Sequence, residues 1–355
     1  MRSFVFIARR IGRFAILFLV VLLLCPLLIW LLFLDSHPIV LILGGIVAIP
    51  SAILAAVLII GMLFAGFRRT KLEGISREAA PELWALWEVV AGENRAKRTT
   101  IVLDDRLNAA VAEEQPFLGL FGHRVFLFVG IPLMMVTDSR ALSAVFAHEN
   151  AHVRNRDTNG GLKLAELEKS FNLIFDYAPP GQSVSGSLLY AALSPLSRAL
   201  QSEELRLSRL AELQADRHAA VAGDAHEAAR ALVLVAAADA CFEEKVYEPL
   251  QRELLGAMTP PRPPLARLAL EARNLEKGSL LQPYAQKAWD KPDNPESDHP
   301  SLSIRLAALG YNVVPTVEPV SASALFTLLG DELAAECIRH FDHQWVSAIE
   351  DRLER

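Results

Sequence analysis

The stretch His148-Glu149-Asn150-Ala151-His152 carries the strongest local pattern in the sequence. It lies within a segment, 138–154, whose apolar periodicity and N-terminal capping residues predict a helix. At 3.6 residues per turn, His148 and His152 share one helix face, one turn apart, where both rings can bind one metal ion. Glu149 is adjacent and can hold a water molecule without binding the metal. The alternative is an ordinary helix whose histidines are satisfied by hydrogen bonds.

A catalytic zinc site needs a third protein ligand, and the sequence offers more than one candidate. The longer pattern HExxHxxGxxH is absent, because Asn155 stands at its glycine position. Glu212 and Asp216 lie one turn apart on one face of a predicted helix, among apolar residues. That arrangement suits one carboxylate that binds a cation and a second that orients a ligand histidine. Glu166 and Glu168 are alternative ligands, and a solvated helix face is the alternative for the Glu212 pair.

Charge is distributed unevenly along the 355 residues. Residues 1–70 contain six arginines and one acidic residue, a formal charge of +5, which leaves the rest of the chain at −11. The apolar content of 52% excludes intrinsic disorder, and without a basic domain nucleic-acid binding is not expected. The three cysteines form no CxxC pair, so neither a disulfide framework nor a thiolate zinc site is predicted.

Two uncharged apolar runs, 14–34 and 38–67, are each long enough to cross a bilayer and predict a transmembrane hairpin. A cleaved signal peptide is the alternative for the first run, but that run is too long and no small-residue cleavage site follows it. Arginine and lysine residues flank the hairpin on its outer ends, which predicts that both ends face the cytoplasm.

The remainder of the chain is predicted to be mainly helical with short strands at 99–103 and 123–131, an α+β fold. We expect a membrane anchor over 1–70, a catalytic domain over 71–310 and a C-terminal helical extension over 311–355.

Several short motifs, taken in order, resemble one family. HENAHVRNRD at 148–157 and AELQAD at 211–216 are similar to the HtpX and CAAX-prenyl-endopeptidase family of membrane zinc metallopeptidases. Asn108-Ala109 upstream is similar to the NA pair of that family, and His299-Pro300 followed by Arg305 resembles its late HP…R element. Asn150 stands where the family commonly has a small or apolar residue, which bears on substrate preference.

The resemblance implies a role for each matching position. One Zn²⁺ per chain would be bound by His148, His152 and Glu212, and Glu149 would be the general base. His299 would face the site and donate a hydrogen bond to the oxyanion. Three further residues would support the ligands from behind: Asp216, Arg305 and Asp157.

The substrate is expected to lie along a strand of the sheet. Asn108 and Ala109 are candidates from the resemblance, and Phe126 and Phe128 belong to the 123–131 strand, whose edge can pair with an extended peptide. A plain core strand is the alternative for 123–131.

These predictions together favour an integral membrane zinc endopeptidase, in the inner membrane if the cell is bacterial, with its catalytic domain in the cytoplasm. Its partners would be the lipid bilayer and protein or peptide substrates, membrane proteins among them. Clearance of damaged membrane proteins and processing of one dedicated substrate both stay open. Trimming of prenylated C-termini is disfavoured, because the family's enzymes for it have more spans. The alternative is a catalytically silent, membrane-tethered interaction protein that retains a metal site.

Overall fold

The computed structural model describes residues 6, 10, 15–33, 35, 37–67, 72–114, 124–159, 167, 181, 184–276 and 280–353. Its contacts divide the chain into two compact units. The first comprises 1–70, 115–122 and 156–208, and the second comprises 71–114, 123–155 and 209–355.

The first unit contains the predicted hairpin, formed by helices α1 (Ala15–Leu32) and α2 (Pro38–Phe67). The Trp30 indole N–H donates to the carbonyl of Leu41 at 2.9 Å, across the turn between the two helices. Gly44 lies so close to the Trp30 ring that an added Cβ would sit 2.5 Å from ring atom Cδ1. A residue without a side chain is therefore required where the ring packs on α2.

One helix of the described chain, over Pro38–Ile60, is long and apolar enough to cross a membrane. Val20–Leu32 is a shorter apolar helix within the first predicted run. Residues 14 and 34, the ends predicted for that run, lie outside the described residues.

Helices make up most of the remaining described chain. In chain order they are α3 (Pro81–Ala91), α4 (Glu93–Ala96), α5 (Ile131–Val136), α6 (Ser139–Asn159), α7 (Val184–Ala222), α8 (Ala225–Phe242), α9 (Glu248–Leu254), α10 (Pro264–Glu276), α11 (Leu281–Asp290), α12 (Leu302–Ala308) and α13 (Ala324–Leu353). A π-helical turn, Glu243–Tyr247, joins α8 to α9. The predicted α+β fold is confirmed by these helices together with one small sheet.

The sheet has three strands, β1 (Thr99–Asp104), β2 (Ala109–Glu114) and β3 (Arg124–Gly130), in the spatial order β1-β3-β2. β3 pairs parallel to β1 and antiparallel to β2, so it occupies the centre. The prediction that the 123–131 strand offers an edge to a substrate is therefore wrong, because both of its edges are already hydrogen-bonded. His123, the predicted first residue of this strand, lies outside the described residues.

The short connection from β1 to β2 crosses the carboxyl end of β3. At that point Gly130 is so close to the crossing chain that an added Cβ would lie 1.6 Å from the Arg106 carbonyl oxygen. The Gly130 N–H donates to the Asn108 carbonyl at 2.9 Å, which fixes the start of β2. Sequence reasoning missed β2 because its alanine-rich residues have low strand propensity.

One hydrophobic core holds the second unit together. It includes Leu127 of the sheet, Phe146 of α6, Phe242 of α8 and Leu325 of α13, all of them fully buried. The C-terminal helix, predicted as an extension, thus contributes directly to the core of this unit.

The sequence predicts one helix over 162–177 and another from Ser202 to about Ala222. Helix α7 begins at Val184, eighteen residues before the predicted start at Ser202. The Ser202 hydroxyl donates to the Ala199 carbonyl at 3.0 Å, so this side chain bonds within the helix and does not cap it. The predicted helix over 162–177 lies outside the described residues except for Leu167.

Candidate metal centre

The helix that carries the HExxH pattern, α6, is anchored at its N-terminus. Asp138 Oδ1 accepts a hydrogen bond from the Ala141 N–H at 2.9 Å, which caps the helix. The same carboxylate is paired with Arg230, whose Nη2 lies 2.7 Å from Oδ2 and whose side chain is 1% exposed. Burial favours the protonated carboxyl, but the hydrogen bonds from Arg230 and Ala141 outweigh it and lower the pKa of Asp138.

The side of α6 that packs in the core determines where the other side of the helix points. Phe146 is fully buried and packs edge-on against Trp87, with ring centroids 5.7 Å apart. His148 and His152 lie side by side on another face, with ring centroids 4.7 Å apart. The helix period and the core contacts therefore present both imidazoles together, as the sequence predicts.

Helix α7 brings Glu212 to these two histidines. Glu212 Oε1 lies 3.1 Å from His152 Nε2, and Glu212 Oε2 lies 3.5 Å from His148 Nε2. The two Nε2 atoms are 3.0 Å apart. The two Nε2 atoms and the two Glu212 oxygens thus surround a common point, with one oxygen next to each ring.

These separations fit a tetrahedral zinc ion. Zinc bound to nitrogen and oxygen at about 2.0–2.1 Å places neighbouring ligand atoms about 3.3 Å apart in a tetrahedron. The observed range of 3.0–3.5 Å brackets that value. With His148, His152 and Glu212 as ligands, one corner of the tetrahedron would stay open, as in catalytic zinc sites.

The Glu212 carboxylate lacks the hydrogen bonds that a buried anion needs. Its side chain is 3% exposed, and Oε2 is buried without a hydrogen-bond partner. His299 Nδ1 and Arg305 Nη1 approach this oxygen at 3.2 and 3.3 Å, without hydrogen-bond geometry. Even so, these neighbours and the two histidines outweigh the effect of burial and hold the pKa of Glu212 well below its usual range. An anionic oxygen left unsatisfied in the interior matches a site for a cation.

Asp216 lies behind the His148 ring. Its Oδ1 is 2.9 Å from His148 Nδ1, which leaves His148 Nε2 directed at the common point. Arg305 forms a two-atom ion pair with Asp216, through Nε–Oδ2 at 2.8 Å and Nη2–Oδ1 at 2.6 Å. Burial opposes the charge on Asp216, but the hydrogen bonds from Arg305 and His148 outweigh it and lower the pKa of this carboxyl. Burial also disfavours protonated His148, yet the bonds to Asp216 and Glu212 raise its pKa to about 9.

Glu149 lines the same cavity but stands farther from the common point. Its Oε1 lies 4.0 Å from His148 Nε2, longer than either Glu212 contact. Glu149 also belongs to a group of side chains that could hold a metal with His148 and His152. Glu212 lies closer than Glu149 to His148 Nε2 and has an unsatisfied oxygen, so it could serve as the third ligand, and the longer distance at Glu149 suits a water molecule. Burial raises the pKa of Glu149 above its ordinary value, against the opposite effect of the two histidines.

His299 reaches the site from the loop between α11 and α12. Its side chain is 59% exposed, and Nδ1 contacts Glu212 Oε2 at 3.2 Å. This contact with Glu212 raises the pKa of His299.

Asn150 faces away from the cavity. Its amide nitrogen donates to the Val90 carbonyl at 3.1 Å, and its oxygen accepts from Arg95. It therefore ties α6 to the end of α3, and the departure from the family pattern at this position concerns packing rather than the substrate.

Of the predicted substrate residues, Asn108 and Ala109 line a cavity of about 100 Å³ together with Glu149. Both lie at the start of β2, which in the described residues pairs only with β3 and has its other edge free. Phe126 and Phe128 lie on the central strand, on the face opposite its core residues, and do not line this cavity. The edge available beside Glu149 thus belongs to β2.

For three of the predicted residues, the structure describes no side-chain position. The side chain of Asp157 lies outside the described part of the chain, as do Glu166 and Glu168, the alternative third ligands. Sequence reasoning missed Arg209, which contacts the loop that carries His299. The signal was present in its spacing, since Arg209 precedes Glu212 by three residues on the same helix face.

The comparisons with known proteins give one match. The family model described as Peptidase family M48 matches residues 88–313, more than half of the chain and the whole of the centre described above. The comparisons with curated proteins and with solved structures give no match.

Proposed function

Because the chain belongs to peptidase family M48, we propose that it is a membrane-anchored zinc endopeptidase that hydrolyses peptide bonds of protein substrates. The family supports a metallopeptidase activity; zinc as the metal, internal bonds as the target and the membrane anchor are parts of the proposal.

The observation that carries the proposal is the convergence of three side chains. His148 Nε2 and His152 Nε2 lie 3.0 Å apart, and they lie 3.5 and 3.1 Å from Glu212 Oε2 and Oε1, of which Oε2 has no hydrogen-bond partner. A structural zinc site would be closed by a fourth protein ligand, often a cysteine. Among the described residues Cys241 and Cys337 are absent from the cavity, which favours an open, catalytic site.

When bound, zinc would supply the Lewis acidity that polarises the scissile carbonyl and acidifies the attacking water. Glu149 takes one proton from that water at a carboxylate oxygen as the new C–O bond forms. It then delivers the proton to the amide nitrogen as the C–N bond breaks. Its raised pKa suits a group that must both accept and return a proton near neutral pH.

His299 and Arg305 carry positive or donor groups to the same side of the site. His299 stabilises negative charge on the carbonyl oxygen through its ring N–H, as the resemblance implies. Arg305 acts on Asp216 and so holds the His148 ring in the tautomer that leaves Nε2 free.

The substrate backbone is proposed to pair with the free edge of β2. Ala109 lies on that edge and lines the cavity with Glu149. Main-chain pairing binds an extended peptide with little demand on its side chains, which fits a protease of broad substrate range.

The location is also a proposal. The apolar helix over Pro38–Ile60 supports membrane association, and the basic residues that flank the hairpin support a cytoplasmic catalytic domain. In a bacterium this membrane is the inner membrane. The partners are the bilayer and unfolded or membrane-embedded proteins.

The test is the variant Glu149→Gln in the full-length protein. Loss of the proton acceptor is expected to lower the hydrolysis of an unfolded protein by about 10²–10⁴-fold while one zinc per chain is retained, because Glu149 does not bind the metal. Glu93→Gln is the matched control, since Glu93 is an exposed partner of Lys97. Zinc content is measured by elemental analysis, and hydrolysis by peptide release.

Full activity in Glu149→Gln, or a wild-type protein that binds no zinc, contradicts the proposal. A wild-type protein that binds zinc and hydrolyses nothing supports the silent interaction protein instead.

A further inference from the structure

We propose that Arg209 is a positioning residue that holds the loop 293–299 in place and thereby keeps His299 at the Glu212 carboxylate. Its catalytic consequence rests on the proposed function, whereas its effect on the loop does not.

Arg209, Glu212 and Asp216 lie along one face of α7, with spacings of three and four residues. Each of them contacts the same downstream stretch of chain. Arg209 contacts the loop, Glu212 contacts His299, and Asp216 contacts Arg305 of α12. One helix face thus fastens this stretch at three successive points, and Arg209 is the first.

Arg209 binds the loop through both a side chain and the backbone. Its Nη2 lies 2.6 Å from Asp293 Oδ2, and its Nη1 donates at 3.0 Å to the carbonyls of both Asn294 and Ser297. A planar guanidinium satisfies these three acceptors at once, which a lysine ammonium cannot do with the same geometry.

The residues that Arg209 binds are also the ones that fix the backbone around His299. Ser297 Oγ accepts the His299 N–H at 3.2 Å. Asp293 Oδ1 accepts the Ser301 N–H at 2.9 Å, two residues beyond His299. Arg209 therefore fixes the backbone on both sides of His299. Ser297 connects it to the His299 N–H, and Asp293 connects it to the Ser301 N–H.

His299 itself has little else to hold it. Its ring is more than half exposed, and its contacts in the described structure are with Glu212 and its own neighbour Asp298. Pro295 and Pro300 have no N–H to donate, so the loop has fewer backbone bonds of its own. The position of the ring consequently depends on the backbone that Arg209 secures.

An isolated surface ion pair contributes little to stability. The pair between Arg209 and Asp293 would therefore not hold the loop by itself. The two carbonyl contacts distinguish Arg209 from such a pair. If Arg209 is removed, the carbonyls of Asn294 and Ser297 lose that donor and the loop loses its attachment to α7.

The experiment compares Arg209→Gln with His299→Ala and with the double variant, all in the full-length zinc-loaded protein. Arg206→Gln is the control, because Arg206 is an exposed residue of the same helix that pairs with Glu203. His299→Ala is expected to lower kcat/KM by about 10²–10³-fold, the range for loss of one oxyanion donor. Arg209→Gln is expected to lower it by at least about tenfold. The double variant should lie within about threefold of His299→Ala, because residues that act through one another are not additive.

Hydrogen exchange supplies a readout that does not depend on activity. Arg209→Gln should speed exchange at the amides of His299 and Ser301, whereas Arg206→Gln should leave it unchanged. Asp293→Asn, a milder change that keeps an acceptor for Ser301, should give a smaller shift of the same kind. All variants should retain one zinc per chain, since Arg209 contacts none of the proposed ligands.

Unchanged exchange in Arg209→Gln overturns the positioning role whether or not the protein is a peptidase. Loss of zinc, or activity losses that multiply in the double variant, also overturns it. Failure of the proposed function would be seen separately, as hydrolysis that survives Glu149→Gln.

Discussion

At the scale of single residues, the centre is defined by where its charges are placed. Glu212 and Asp216 are both almost fully buried, at 3% and 2% exposure, and both are anionic. Asp216 is satisfied by Arg305 and His148, whereas Glu212 keeps one oxygen without a hydrogen bond. The two carboxylates therefore differ in their contacts although they share one helix face: protein groups satisfy both oxygens of Asp216, whereas Glu212 keeps an unsatisfied oxygen that could bind a cation.

This difference predicts a graded effect on zinc binding. Glu212→Gln keeps the shape but removes a ligand charge, and we expect it to weaken zinc binding by more than about a hundredfold. Asp216→Asn weakens the support of His148 and the pair with Arg305 but removes no proposed ligand, and we expect a loss of about 10–100-fold. Competition with a chelator of known affinity measures both.

Glu203→Gln, a variant at a partly buried position of the same helix that pairs with Arg206, is the control and should bind zinc as the wild type does. Unchanged binding in Glu212→Gln would favour Glu166 or Glu168 as the third ligand. Equal losses in the Glu212 and Asp216 variants would contradict the distinction between ligand and support.

At the scale of elements, α6 is placed by its N-terminal anchor as well as by its buried face. Asp138 caps the helix and pairs with Arg230, a buried cation that also contacts Glu227 and the Glu318 carbonyl. Asp138 precedes His148 by ten residues, which is almost three turns of the helix. A shift at the cap would move both histidines relative to Glu212, which belongs to a different helix.

The pair of Asp138 and Arg230 predicts a pH-dependent stability. Because the folded-state pKa of Asp138 lies below its ordinary value of 3.8, its contribution is complete above that value and is lost as the pH falls through the folded value. We expect Asp138→Asn to lower the free energy of unfolding by about 3 kcal/mol at neutral pH, since it breaks a buried ion pair. The difference from wild type should shrink progressively below pH 3.8.

Chemical denaturation at several pH values measures this effect. Asp224→Asn is the matched control, because Asp224 caps α8 through the His226 N–H and asparagine is an equally good cap. A pH-independent difference for Asp138→Asn would mean that its charge contributes nothing.

At the scale of the whole molecule, the chain combines a cationic, apolar N-terminal segment with an acidic body. Within the first unit the hairpin is closed by the Trp30 hydrogen bond and by the packing of its ring on Gly44. Within the second unit one core runs from the sheet to the C-terminal helix. The cationic, apolar segment thus corresponds to the helical hairpin.

The basic flanks predict the orientation of that body. In membrane vesicles with the cytoplasmic face outward, an added protease should digest the second unit, and in vesicles of the opposite orientation it should not. Immunoblotting of the C-terminus measures the difference. A cytoplasmic reporter protein and a reporter on the opposite side are the controls for vesicle orientation. Protection in outward-facing vesicles would reverse the proposed topology.

The sequence by itself determined what depends on near neighbours. The pairing of His148 with His152 follows from the helix period, the hairpin follows from uninterrupted apolar runs, and the ordered motifs predicted the peptidase family, which is confirmed. The spacing of Glu212 and Asp216 likewise predicted a shared face, although Glu166 and Glu168 stayed open as ligands.

Only the tertiary structure decided which distant groups meet. It brought Glu212 within 3.5 Å of both histidines, placed β3 at the centre and β2 at an edge of the described sheet, and joined Arg209 to the His299 loop. The physical reason is that local periodicity sets the direction of a side chain along its own element. Strand order and the approach of residues sixty or ninety positions apart depend on how complete elements pack, and packing is a property of the whole core.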